Sequence, residues 1–330
     1  MNPPAPRLST PDGPGSVSRA PQLPTGFADT FTSRYVDVDG LRLHAVTGGQ
    51  GPALLLVGGW PQTWYAWRLV MPALAPDFTI VAVDPRGVGL SDKPLDGYDT
   101  GTLARDLVGL MAALGHRRFA MVGHDVGMWT GYALAADHPG RLTRLVVAEA
   151  AIPGLSPSPP LFGGARANDR LWHFAFNRLT DINEELVRGR EHLYFGHQFA
   201  TKAVRPLPEH AVRHYVDPLA ADPAALRASF ACYRALDTTI EQNQRRRTRR
   251  LTLPVLTIAG AENSAELVGD TMRLAADDVE SLILPDCGHY PAEEAPKAVL
   301  SALTDFLAPY RQGRDDEPRQ RPEDASTSTR

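Results

Sequence analysis

An aspartate flanked by glycines is the most informative feature of the sequence. Asp125 stands at the centre of Gly-x-Asp-x-Gly (residues 123–127), between an apolar run and a predicted helix, Met128 to Asp137. Glycines on both sides permit a sharp strand-to-helix turn that lifts the central side chain clear of the sheet. The helix start would favour a carboxylate there and supply backbone N–H groups. The pattern predicts a nucleophilic aspartate, with an ordinary turn capped by aspartate as the alternative.

A carboxylate nucleophile forms an ester, which an activated water must then hydrolyse. Activation requires a base, most often histidine, and a group that orients it. His289 follows the last apolar run, where the chain order nucleophile, acid, base places the base. Two acids could orient it: Glu149, at the end of the strand after the nucleophile helix, and Glu262, after the next-to-last strand. We prefer Glu149, because an acid at a buried strand end needs a partner.

Short apolar runs that alternate with helical segments must position these residues. An Asp-Gly pair at 39–40 predicts an antiparallel hairpin, and apolar runs at 53–57, 78–83, 119–122, 144–147, 253–259 and 279–284 predict further strands. This rhythm is typical of βαβ units and a mostly parallel sheet. The rhythm stops near Ile152 and resumes near Leu253. We therefore expect an α/β core at 31–151 and 251–310, interrupted by a helical cap at 152–250.

Both ends of the chain are predicted to be disordered. In the segment 1–30, the first 26 residues include seven of the chain's 29 prolines. The segment 311–330 contains no large aliphatic or aromatic side chain. Such segments bury too little apolar surface to offset their ordering entropy.

Composition argues against several classes of function. The 330 residues carry a net charge of −4, so no overall positive field attracts nucleic acid or an anionic membrane. No apolar stretch is long enough to span a bilayer, and the first residues lack a secretory pattern. Cys232 and Cys287 are the two cysteines, which fits a reducing cytoplasm. We expect a cytoplasmic protein that binds neither nucleic acid nor membrane and that could form a homodimer.

An arginine-rich segment, Arg245 to Arg250, is the one strongly basic stretch. We interpret it as a solvated face paired with acids such as Glu241 and Glu262, because no aromatic interleaving or nucleic-acid motif accompanies it. No residue cluster has metal-ligand spacing and no glycine-rich loop fits a phosphate or dinucleotide. We expect no metal and no cofactor.

Taken together, these motifs resemble the α/β-hydrolase superfamily, in particular its epoxide-hydrolase and dehalogenase branch, whose nucleophile is aspartate. The resemblance spans Phe31 to Leu307 and includes the segments 59–68 and 84–92, the Asp125 turn and the loop 287–289. It implies an α/β-hydrolase fold with a mostly parallel sheet, flanking helices and a helical cap. Many relatives place the orienting acid at position 263; Asn263 here supports Glu149. The resemblance also implies an oxyanion hole made by the backbone N–H groups of Trp60 and Val126.

Within the branch, the resemblance favours an epoxide hydrolase. Haloalkane dehalogenases usually have Trp where Val126 stands, and fluoroacetate dehalogenases carry arginines after the nucleophile and His-Trp in the cap, where this chain has His173 and Phe174. His173 and Tyr233 are similar to a bacterial subset that uses one histidine and one tyrosine to protonate the epoxide oxygen. Core packing is the alternative for each of them.

The resulting prediction is a hydrolase acting on ether bonds, which converts a small-molecule epoxide and water to a vicinal diol through an aspartyl ester. One alternative is a dehalogenase that uses the same nucleophile. Another is a member that binds or rearranges a natural product without hydrolysis. Gly58 motivates that last possibility, because relatives usually have His-Gly where this chain has Gly58-Gly59. Cys232, next to Tyr233, is expected only to pack.

Overall fold

The computed structural model describes residues 11–158 and 164–313. Its strands are β1 (Phe31–Val38), β2 (Leu41–Gly49), β3 (Ala53–Val57), β4 (Thr79–Asp84), β5 (Phe119–His124), β6 (Leu142–Ala148), β7 (Val255–Gly260) and β8 (Val279–Leu284). They form one sheet in the order β1-β2-β4-β3-β5-β6-β7-β8. β2 is antiparallel to both of its neighbours, and the strands from β4 to β8 are parallel. The predicted hairpin and the mostly parallel sheet are confirmed.

Helices cover the sheet and also form the long segment between β6 and β7. Before that segment lie α1 (Phe27–Thr30), α2 (Met71–Leu74), α3 (Thr100–Ala113) and α4 (Val126–Asp137). The segment itself contains α5 (Ala165–Asn177), α6 (Ile182–Val187), α7 (Glu191–Lys202), α8 (Glu209–Ala221), α9 (Pro223–Arg234) and α10 (Leu236–Arg246). After it come α11 (Leu267–Arg273), α12 (Pro291–Glu294) and α13 (Pro296–Arg311). We refer to α5–α10 as the cap helices.

The central strands are apolar because both faces of the sheet are covered. Every residue of β3, β5, β6 and β7 is buried, which is the pattern of a parallel sheet between helical layers. Parallel strands end at the same edge of a sheet, so the loops that follow β3, β5, β6, β7 and β8 converge there. Trp60, Asp125, Glu149, Asn263 and His289 lie in or at the start of those loops.

The segment before β1 is more ordered than its composition predicted. Residues 11–30 include a 3₁₀ turn (Val17–Arg19) and α1, and Val17 and Phe27 are buried. The Trp64 indole donates to the carbonyl of Gly15 at 2.7 Å, and the Tyr65 hydroxyl donates to that of Pro21 at 2.6 Å. Buried Trp and Tyr need such partners, so the expectation of disorder over 11–30 was wrong. Residues 1–10 and 314–330 lie outside the described residues.

The arginine-rich segment pairs with acids other than those expected. Arg246 is buried and forms an ion pair with Asp137 at 2.5 Å. Arg250 forms an ion pair with Asp277 and donates to carbonyls near the end of α11, including that of Leu274 at 3.2 Å. Arg246 therefore joins α10 to the end of α4, and Arg250 joins the segment between α10 and β7 to the segment that follows α11. No helix within the described ranges is long and apolar enough to cross a membrane.

Candidate active site

Asp125 lies on a strained turn between β5 and α4. Its backbone has φ 51° and ψ −114°, a conformation that a non-glycine residue rarely adopts and that is found at functional sites. A glycine is required two residues later, because a Cβ on Gly127 would lie 2.5 Å from the carbonyl oxygen of Val57. The close contact between α4 and β3 therefore holds the turn in this geometry.

One backbone N–H group, that of Trp60, donates to the Asp125 carboxylate. Its Oδ2 accepts a hydrogen bond from the N–H of Trp60 at 3.1 Å, while no described residue donates to Oδ1. Val126 is the first residue of α4, so its N–H has no acceptor within the helix. A Cβ on Gly59 would lie 2.4 Å from the Cβ of Asp125, so only glycine lets the Trp60 loop approach this closely. Burial by itself would raise the pKa of Asp125, but the neighbouring His289 lowers it.

His289 lies between two carboxylates. Its Nε2 is 3.7 Å from Oδ2 of Asp125, and its Nδ1 is 3.2 Å from Oε2 of Glu149. Burial would lower the pKa of His289, but the interactions with Asp125 and Glu149 outweigh burial and raise that pKa above its usual value. The geometry suits a base that takes a proton from water on one side and is oriented on the other.

Glu149 is held by several donors at the ends of β6 and β7. It accepts hydrogen bonds from the N–H of Gly260, from Asn263 Nδ2 at 2.6 Å and from Ser264 Oγ at 3.1 Å. Its φ of 65° is also unusual for a non-glycine residue. The competing acid, Glu262, has an exposed side chain, whereas Glu149 is buried beside His289. From the sequence, Asn263 was notable only because many relatives have the orienting acid at this position. In the structure, its amide donates a hydrogen bond to Glu149, the acid beside His289.

His173 and Tyr233, from α5 and α9, lie over the Trp60 ring. The His173 imidazole stacks on the Trp60 indole with ring centres 5.4 Å apart and planes 8° apart. Tyr233 contacts both rings edge-on, at 5.4 Å and 5.6 Å. All three side chains are buried. Burial, and after it the negative charge of Asp125, raises the pKa of Tyr233 well above its usual value, so the hydroxyl stays protonated. No described residue accepts a hydrogen bond from this hydroxyl.

Sequence reasoning missed Lys202, at the end of α7. Its Nζ lies 3.2 Å from Nε2 of His173 and 5.3 Å from the centre of the Trp60 ring. The side chain is buried, and burial lowers the pKa of Lys202 to about 8 despite the opposing charge of Asp125. No motif marks a single lysine in a cap helix, so this residue could not be found from its spacing.

Sequence reasoning also missed Glu294, in α12. Its carboxylate accepts from the backbone N–H groups of Gly288 at 3.1 Å and Tyr290 at 2.9 Å, on either side of His289. It also accepts from the N–H groups of Val204 at 2.8 Å and Arg205 at 3.3 Å, which follow α7. One carboxylate thus joins the His289 loop to the cap helices.

A cavity of about 70 Å³ borders Trp60 and Val126, the two residues predicted to form the oxyanion hole. Trp60, Val126 and Cys232 contribute to its wall, together with apolar residues of α3, α8 and α9, namely Leu103, Leu219, Ala225 and Ala228. Burial raises the pKa of the Cys232 thiol, which agrees with a packing role. Among the described residues, no three His, Cys, Asp or Glu side chains are grouped so that they could hold a metal ion.

The chain is similar in sequence to known hydrolases. The profile of the alpha/beta hydrolase fold matches residues 52–296. The chain is 32% identical over 288 residues to the soluble epoxide hydrolase of Corynebacterium sp. (strain C12), covering 85% of this chain and 99% of that protein. It is also 32% identical over 302 residues to a fluoroacetate dehalogenase of Burkholderia sp., covering 86% and 96%.

A solved structure agrees with these similarities. Cfl2 from Burkholderia cenocepacia superimposes with a TM-score of 0.81 at 37% identity, over 84% of this chain and 96% of that one. The profile match, the two relatives and the sheet topology lead to one conclusion: the chain is a hydrolase of the α/β hydrolase fold family, in the group that includes epoxide hydrolases and dehalogenases.

Proposed function

We propose that the protein is an epoxide hydrolase that forms a covalent ester on Asp125. The observation that carries this proposal is a buried carboxylate at the strained turn, with Oδ2 bonded to the Trp60 N–H and with Oδ1 accepting no hydrogen bond from any described residue. Oδ1 is therefore the oxygen available to attack an epoxide carbon. Donors on the cap side, where His173 and Tyr233 lie over Trp60, would hydrogen-bond the epoxide oxygen and protonate it as the ring opens.

The second half of the reaction would use His289 and Glu149. His289 takes a proton from water, the water oxygen attacks the ester carbonyl, and the Trp60 and Val126 N–H groups stabilise the resulting oxyanion. As this intermediate collapses, protonated His289 returns its proton to the departing alkoxide oxygen, which completes the vicinal diol, and the Asp125 carboxyl group then loses its proton to restore the carboxylate. Glu149 holds the His289 ring and stabilises its protonated form, as the 3.2 Å contact allows.

A dehalogenase would use the same ester, and a fluoroacetate dehalogenase is among the relatives. Two features favour the epoxide. The first turn of α4 contains no arginine to bind a substrate carboxylate. The cap supplies Tyr233, whose hydroxyl remains a donor, beside His173 and over the oxyanion-hole residue Trp60.

Intact-protein mass spectrometry of His289→Gln tests the proposal. The variant is incubated with terminal, aryl and fatty epoxides, and in parallel with chloro- and fluoroalkanoates. We expect an adduct with the mass of the whole epoxide, because ring opening loses no atoms and the ester cannot be hydrolysed without the base. The Asp125→Ala, His289→Gln double variant should form no adduct.

Other outcomes would contradict the proposal. An adduct only from the halogenated acids, with release of halide, would identify a dehalogenase. Ligand binding by a correctly folded protein without any adduct would favour a non-hydrolytic member of the family.

A further inference from the structure

Lys202 is a buried cation in the proposed active site without a carboxylate within hydrogen-bonding distance among the described residues. Among the described residues, the only atom within hydrogen-bonding distance of Lys202 Nζ is Nε2 of His173, at 3.2 Å. The ammonium also lies 5.3 Å from the centre of the Trp60 ring. The charge of Asp125 is close enough to act on it. A buried ammonium is costly unless it has partners, so a function would explain its presence.

The contact with Lys202 determines what His173 can do. An ammonium group only donates hydrogen bonds, so Nε2 of His173 must accept one and Nδ1 must carry the ring proton. Nδ1 is buried and has no hydrogen-bond partner among the described residues. Burial and the charge of Lys202 lower the pKa of His173 well below its usual value, so the ring stays neutral. His173 therefore has no N–H directed at a substrate from Nε2.

We propose that Lys202 donates the proton to the epoxide oxygen, to which Tyr233 donates a hydrogen bond, and that His173 positions the Lys202 ammonium for this step. This inference rests on the proposed epoxide hydrolase function and replaces His173 with Lys202 as the partner of Tyr233. Lysine suits the role because it can lose its proton, which arginine does not do in proteins. The chain has 34 lysine and arginine residues, of which only Lys93, Lys202 and Lys297 are lysines. Most basic positions of this chain are therefore arginines, and the buried position 202 is an exception.

The proposed step conserves charge and atoms. Asp125 Oδ1 forms a bond to an epoxide carbon, the carbon–oxygen bond breaks, and its electron pair stays on the oxygen. That oxygen takes a proton from Lys202 Nζ, which leaves a neutral amine. Hydrolysis of the ester by water releases one proton to His289, and this proton returns to the amine. The sum is epoxide plus water to diol.

Several groups act on Lys202, and they determine its dependence on pH. His173 on α5 is neutral, Asp125 is the facing anion, and Tyr233 on α9 stays protonated because its pKa is raised well above the usual value. The N–H of His289 bonds to the Lys202 carbonyl at 2.9 Å, so His289 also adjoins this region. Of the donors proposed for the epoxide oxygen, only Lys202 has a pKa near 8, and the rate of ester formation should fall as pH rises through that value.

The test measures ester formation in the His289→Gln background, by rapid quench and intact mass between pH 6 and pH 10. We expect Lys202→Met to slow ester formation by about 100-fold, the effect typical of losing a general acid, and to remove the alkaline fall in rate. Lys202→Arg keeps the positive charge, but arginine does not lose its proton between pH 6 and pH 10. Ester formation in this variant should therefore also be slow and should not fall at alkaline pH. Lys297→Met, on the exposed face of α13, is the matched control and should behave like the parent.

The outcomes separate this inference from the proposed function. Ester formation in Lys202→Met at the parental rate, with the same alkaline fall, would overturn the role of Lys202 and leave the epoxide hydrolase proposal intact. Full recovery by Lys202→Arg would show that only charge is needed and would also overturn proton donation. Failure of the His289→Gln parent itself to form an ester with any epoxide would refute both.

Discussion

Nδ1 of His289 lies 3.2 Å from Oε2 of Glu149, although the two residues are 140 positions apart in the chain. The contact exists because β6 and β8 end at the same edge of the sheet, on either side of β7. Two further groups from the end of β7 and the loop after it, the Gly260 N–H and the Asn263 amide, donate to the same carboxylate. Glu149 is thereby fixed in a position where it can orient His289.

Replacing Glu149 with glutamine should selectively slow ester hydrolysis. The amide cannot accept from Gly260, Asn263 and Ser264 as the carboxylate does, and it no longer stabilises protonated His289. We expect hydrolysis to slow by about 100-fold or more, with ester formation much less affected, as measured by pre-steady-state mass spectrometry. Glu262→Gln, the same change at an exposed side chain, should leave both rates near those of the wild type. Equal losses in the two variants would contradict the assignment.

The pH dependence of ester hydrolysis should follow His289. Its neutral form is the base, so hydrolysis should accelerate as pH rises through the pKa of His289, which Asp125 and Glu149 raise above its usual value in the free protein. Esterification removes the charge of Asp125, so in the intermediate the rise should occur at lower pH than in the free protein. Glu149→Gln should shift it lower again. Single-turnover decay of the ester at a series of pH values measures this shift, and a shift to higher pH would refute the role of Glu149.

Glu294→Gln should loosen the connection between the His289 loop and the cap helices. The Glu294 carboxylate accepts four backbone hydrogen bonds, and a neutral amide with one oxygen cannot satisfy all of them. We expect the free energy of unfolding to fall by about 2 kcal/mol and kcat to fall as well, measured by denaturant titration and steady-state kinetics. Glu280→Gln, at an exposed position on β8, serves as the control. Unchanged stability and turnover would show that the contacts around Glu294 are dispensable.

Gly59→Ala should be far more damaging than Gly58→Ala. A Cβ at position 59 would lie 2.4 Å from the Cβ of Asp125, whereas at position 58 its nearest neighbour is the Thr63 carbonyl oxygen at 3.3 Å. The first change must push the Trp60 N–H away from the carboxylate, and we expect a loss of about 100-fold in kcat. The second requires only a small adjustment, so most activity should remain. Comparable losses in the two variants would contradict the proposed oxyanion hole.

Patterns among neighbouring residues are enough to determine much of this fold. The Asp-Gly hairpin, the apolar runs and the glycines around Asp125 each act within a few positions, and each predicted strand of the sheet lies within a few residues of its expected bounds. Chain order also predicted that Asp125, Glu149 and His289 would meet, because parallel strands all end at one edge of the sheet.

Only the tertiary structure revealed contacts between distant, unpatterned residues. Lys202 stands in no motif, and its contacts with His173 and Trp60 arise because α5 and α7 pack together above the loop that follows β3. The order of residues 11–30 has the same origin, since buried Trp64 and Tyr65 bond to carbonyls of that segment. Such contacts depend on how whole elements pack, whereas composition and spacing describe each element alone.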